Sequence, residues 1–145
     1  MKWGGDAVLL LFQGGGHAAR ACTAALEMRR TMDVVGRLRT SCGPVRLRVS
    51  TGVHTGSFDM FLVGSSHHEL VITGPDATTT AEQEAAASAG QVAVSPATAE
   101  LLPPGLVRRR DDGVLLLARS PGAARQPLRA AGTGAVDLGA RFDPP

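Results

Sequence analysis

RLRVSTGVHTGSFDMFLVGSSHHELVITGPDATTTAEQE, residues 46–84, is the stretch whose reading decides the fold. Leu47, Val49 and Thr51 alternate with Arg46, Arg48 and Ser50, the period-2 pattern of a half-buried strand. His54-Thr55-Gly56-Ser57 supplies turn residues, and the apolar run 58–63 reads as a second strand, so the expectation is a hairpin over 46–63. Leu70 to Ile72 is a third short strand. It stops at Thr73-Gly74-Pro75-Asp76, a strand-to-helix junction, and an alanine-rich helix is expected over 77–89.

Working outward, 145 residues with 43% hydrophobic content suit one domain with a real core. A formal charge of +2 and arginines scattered apart from Arg108-Arg109-Arg110 give no basic face with interleaved aromatics, so no nucleic-acid partner is expected. Cys22 and Cys42 are too few for a disulfide framework or a zinc ligand set. No apolar run reaches the roughly 18 residues of a membrane span, and Gly4-Gly5-Asp6 interrupts any signal-like start. The expected location is the cytoplasm.

Upstream, the continuously apolar run 7–12 (AVLLLF) predicts a strand covered on both faces. Gly14-Gly15-Gly16 lacks the spacing of either phosphate-binding glycine motif and reads as a turn. A helix follows from His17 to about Leu38, with Ala18, Cys22, Ala25, Leu26, Met32 and Val35 as its apolar stripe, closed by Ser41-Cys42-Gly43-Pro44. Downstream, Gly90 ends the alanine-rich helix and a short strand spans 91–94. Ser95-Pro96 starts a short helix, and a terminal hairpin turns at Asp111-Asp112-Gly113. Arg108 to Arg110 reads as a solvated strand edge. Residues 1–119 form the expected domain, and 120–145, rich in Gly, Ala, Pro and Arg without periodicity, a linker or disordered tail.

Lys2-Trp3-Gly4-Gly5-Asp6, the segment Gly52-Val53-His54-Thr55-Gly56, Gly74 before a helix, and Gly90-Gln91-Val92-Ala93-Val94-Ser95 occur in the order in which class III adenylate and guanylate cyclase catalytic domains carry a K-x-x-G-D hairpin, an H-T-G turn, a glycine junction and a G-x-[IV]-x-[VIL]-S strand. The chain resembles that family over about residues 2–102, and most of all its divergent actinobacterial members. The resemblance implies an α+β, ferredoxin-like βαββαβ fold, here expected to lack its first strand and helices and to end in a β-hairpin. It implies conversion of ATP, or another nucleoside triphosphate, to a cyclic nucleotide and pyrophosphate with Mg²⁺ or Mn²⁺, in a homodimer or a heterodimer with another cyclase domain, as part of intracellular signalling.

Carried over by position, the resemblance makes Asp6 a metal ligand and Lys2 the base-selecting lysine. The other metal-binding aspartate would precede Met1, as in a fragment of a longer protein. Three further positions are substituted: Val71 stands for the acidic base-selecting residue, Thr78 for the ribose-orienting asparagine and Glu82 for the arginine that meets charge on the phosphate. Each lost preorganised donor costs about 10²–10³ in rate. The expectation is therefore a weakly active or inactive cyclase domain. The alternatives are a non-catalytic cyclase-like dimerisation or regulatory module and, further off, an unrelated ferredoxin-like binding domain. His54 reads as a turn residue satisfied by backbone, Asp59 and Asp76 as solvated, Asp76 also suiting the helix dipole. His67-His68 reads as loop, since adjacent histidines share no face and no third ligand lies nearby.

Overall fold

The computed structural model describes residues 2–4, 7–66 and 68–122. Asp6, His67 and nearly all of the tail expected over 120–145 lie outside them. The chain opens with a hairpin, β1 (Lys2–Gly4) against β2 (Ala7–Leu9), with Gly4 opposite Ala7. The expected strand over 7–12 is thus shorter, and it is not covered on both faces, because Ala7 and Val8 are exposed. It pairs only with β1 among the described residues.

Helix α1 (His17–Val35) is anchored by Ala18, Cys22, Ala25 and Leu26, spaced at three to four residues and all buried. Burial pushes the Cys22 thiol up to about 11, as befits a small core residue. The helix stops three residues short of Leu38, and Val35 is 57% exposed instead of continuing the stripe. At Gly36 the backbone N–H still donates to Met32 O, and the chain then turns into a hairpin, β3 (Arg37–Thr40) with β4 (Gly43–Arg46). Thr40 closes its turn, the hydroxyl donating to Gly43 O and accepting from the Cys42 N–H. Ser41-Cys42-Gly43-Pro44 is thus a hairpin turn, not a helix end.

The main sheet has four strands in the order β5 (Thr51–Val53), β8 (Val92–Val94), β10 (Leu115–Leu117), β9 (Val107–Arg109). β5 runs parallel to β8, and the remaining neighbours are antiparallel. The hairpin expected over 46–63 is corrected here. β5 pairs with β8, while β6 (Asp59–Val63) pairs with β7 (Glu69–Thr73) in a separate two-stranded arm. Two runs of strand-like residues flanking a turn need not pair when a parallel partner buries the first of them more fully: Val53, Val92 and Val94 are all buried.

Helix α2 (Pro75–Ala86) packs along β5 and β8, and α3 (Pro96–Glu100) follows β8 directly. α2 ends at Ala86, with Ala87 as its C-cap, before the expected Gly90. One face of the sheet, through Val53, Val92, Val94 and Leu117, forms the core with Ala18, Cys22, Ala25 and Leu26 of α1. Gly52, one residue out of phase with Val53, faces α2. The result is an α+β fold around a mixed sheet with a C-terminal hairpin, β9–β10, as expected. Arg110 at that hairpin is not a solvated edge: its guanidinium donates to Asp112, Gln91 Oε1 and Ala86 O, tying the turn to the α2–β8 connection.

Candidate nucleotide site and the clamp beside it

The G-V-H-T-G segment forms the end of β5 and the loop after it, and its two glycines are required by close approach. A Cβ on Gly52 would stand 2.3 Å from Glu84 N and 2.7 Å from Thr80 O, because α2 crosses β5 at this point. A Cβ on Gly56 would fall 2.2 Å from Asp76 Oδ2. The loop is thus wrapped tightly around the first turn of α2.

His54 holds the centre of this wrap. Its Nε2 lies 3.0 Å from Asp76 Oδ1 and its Nδ1 2.8 Å from Ser95 Oγ, with the side chain only 8% exposed. Ionised Asp76 can only accept, so Nε2 carries a proton and donates to it, while Nδ1 and the Ser95 hydroxyl share the other hydrogen bond. Ser95 Oγ in turn accepts the Thr98 N–H at 3.2 Å, which is the N-cap bond of α3. The Thr98 hydroxyl donates to Val53 O, and Thr55 Oγ1 lies 3.1 Å from Thr98 Oγ1. Asp76 Oδ2 also accepts the Ser57 N–H at 2.6 Å. The His54 bond first, and then the Ser57 N–H, hold the Asp76 carboxyl below the usual carboxylate range.

Five side chains thereby join β5, the loop after it, α2 and α3. Neither His54 nor Asp76 is the bystander expected from sequence: His54 is satisfied by two side chains instead of backbone, and Asp76 is committed to the loop. A Ser–His–Asp chain of this kind invites comparison with a nucleophilic triad. Here Ser95 is 1% exposed and already fixes a helix start, so it serves packing. Position alone could not have shown this, since Asp76 and Ser95 lie 22 and 41 residues from His54.

The residues that the resemblance assigns to substituted positions fall on separate elements. Val71 is in the middle of β7, opposite Phe61 of β6. Thr78 and Glu82, four apart, occupy one exposed face of α2. Lys2 is in β1, in a different hairpin. Asp59 and His68 are exposed. Among the described residues no three His, Cys, Asp or Glu side chains gather into a group able to hold a metal ion. Asp6, the metal ligand that the family resemblance implies, lies outside the described residues.

The sequence profile of the adenylate and guanylate cyclase catalytic domain matches residues 6–120. The chain belongs to this family. It is similar in fold to two solved structures, each at 18% identity. One is the guanylate cyclase domain of RhGC from Catenaria anguillulae in complex with GTP (TM-score 0.55, covering 71% of this chain and 58% of that one). The other is the catalytic core of a rhodopsin–guanylyl cyclase with converted specificity in complex with ATPαS (TM-score 0.56, covering 73% and 61%). The chain thus spans about three fifths of the length of these solved domains. No curated protein matches it. Among the described residues no helix is long and apolar enough to cross a membrane.

Proposed function

We propose that this cyclase domain keeps the family's frame without efficient turnover, and serves chiefly as a dimerising or regulatory module of a signalling protein. The observation that carries the reading is the face of α2. Thr78 and Glu82 stand exposed together on α2; carried over by position, they stand for the family's asparagine and arginine, and in this reading a carboxylate meets the side from which a triphosphate's charge should be balanced. Val71 in β7 adds an apolar group where an acidic one would select the base.

The β6–β7 arm favours the dimer. Met60, Phe61, Leu62 and Val63 are 43–54% exposed in a sheet of only two strands, an arrangement that is marginal unless something covers it. Its occupant in this reading is a second cyclase domain, either another copy or a partner that supplies the substituted groups. Metal, Mg²⁺ or Mn²⁺, and Asp6 and Lys2 as its ligand and base-selecting residues, belong to the residual nucleotide binding that the reading allows. Light scattering on the purified chain, followed by a cyclic-nucleotide assay with ATP and Mn²⁺, tests it. A dimer with no product above background is expected, and a monomer would remove the module reading.

A further inference from the structure

The β3–β4 hairpin has no part in the core or the clamp, yet its side chains are sorted. Arg37 lies directly opposite Arg46, and Arg39 opposite Pro44, so three guanidinium groups share one face, while Leu38 and Val45 pair on the other. All of these residues are exposed, Leu38 at 44% and Val45 at 42%. Like charges placed directly across a strand pair repel. Among the described residues Arg46 has a counter-charge, Asp33 at 3.0 Å, and neither Arg37 nor Arg39 has a carboxylate partner.

At the hairpin's base the apolar surface continues. Val34 and Val35 close α1 at 75% and 57% exposure, and Leu47, whose N–H donates to Gly36 O, is 46% exposed.

We infer that this hairpin docks the domain on an anionic phospholipid surface, the arginines meeting headgroup phosphates and the aliphatic side chains entering the boundary beneath them. Guanidinium groups suit phosphate oxygens through paired N–H donors. The aliphatic face opposite the arginines makes the hairpin amphipathic and favours an amphiphile over a wholly polar anion. A nucleic-acid strand would want aromatic stacking platforms, and residues 34–47 contain no aromatic residue. A second copy of the same face would bring arginines against arginines.

The test is flotation of the full chain with vesicles of phosphatidylglycerol and phosphatidylcholine, against phosphatidylcholine alone. Binding is expected only with the anionic lipid and should fall with salt. Each arginine contributes about fivefold to partitioning, so Arg37→Glu with Arg39→Glu should lower binding by at least about twentyfold, with an unchanged melting temperature. Leu38→Ser with Val45→Ser should weaken binding while leaving its salt dependence intact. No binding to anionic vesicles, equal binding to neutral ones, indifference to the arginine pair, or tighter binding of single-stranded RNA than of vesicles would each overturn the proposal.

Discussion

Replacing His54 with alanine tests whether the family's H-T-G segment acts here as a structural clamp. The imidazole is 8% exposed and joins Ser95 to Asp76, so its removal takes away two part-buried hydrogen bonds and leaves a hole between β5, α2 and α3. The Ser95 bond is worth about 1 kcal/mol, and truncating a buried ring of this size costs about 2 kcal/mol more once partial collapse is allowed. A loss of about 3 kcal/mol is expected, a large share of the ~5–15 kcal/mol typical of a domain. For a chain of this length that is a fall in Tm of about 12 °C. Thermal unfolding by circular dichroism reads it directly, and a double-mutant cycle with Ser95→Ala should return a coupling of about 1 kcal/mol. A Tm within about 3 °C of the parent, or additive effects of the two substitutions, would refute the clamp.

Gly52→Ala should destabilise by about 3 kcal/mol or fail to fold, because its Cβ would lie 2.3 Å from backbone of α2, whereas Gly15→Ala, with nothing near its Cβ, should melt close to the parent; urea titration compares them. The Asp76 carboxyl titrates lower folded than unfolded, so it stabilises above the usual carboxylate range and that contribution is lost as pH falls through the folded value. The Tm gap between the parent and Asp76→Asn should accordingly narrow below about pH 4, read by melting across pH. Glu82→Arg exchanges a repelling for an attracting charge on the exposed face of α2 and should tighten binding of a fluorescent ATP analogue by about tenfold, ~1.4 kcal/mol, measured by anisotropy.

Much of the frame was legible in the chain because it rests on local rules. The Ser95-Pro96 helix start, the Asp111-Asp112-Gly113 hairpin and the stripe from Ala18 to Leu26 each follow from neighbours within a turn or two. What misled was non-local. The alternation at residues 46–51 and the run at 58–63 looked like partners, yet the parallel pairing of β5 with β8 joins residues about forty apart and is invisible to periodicity. Val35 and Leu38 fitted a helical stripe, but Gly36 and the Thr40 turn diverted the chain into a hairpin. The site divides in the same way. Val71, Thr78 and Glu82 are assigned only by counting from Gly74 along the family's pattern. The linkage of His54 to Asp76 and Ser95 depends on α2 and α3 converging at one point, which only the folded chain brings about.

The central claim is a cyclase frame that turns over little or nothing. Incubating the full chain with ATP and then GTP in the presence of Mn²⁺, and quantifying cyclic nucleotide against the same chain carrying Asp6→Ala, addresses it most directly. The account predicts no difference between the two, with both at the level of the heat-inactivated protein. Cyclic AMP or cyclic GMP formed by the parent and abolished in Asp6→Ala would contradict it.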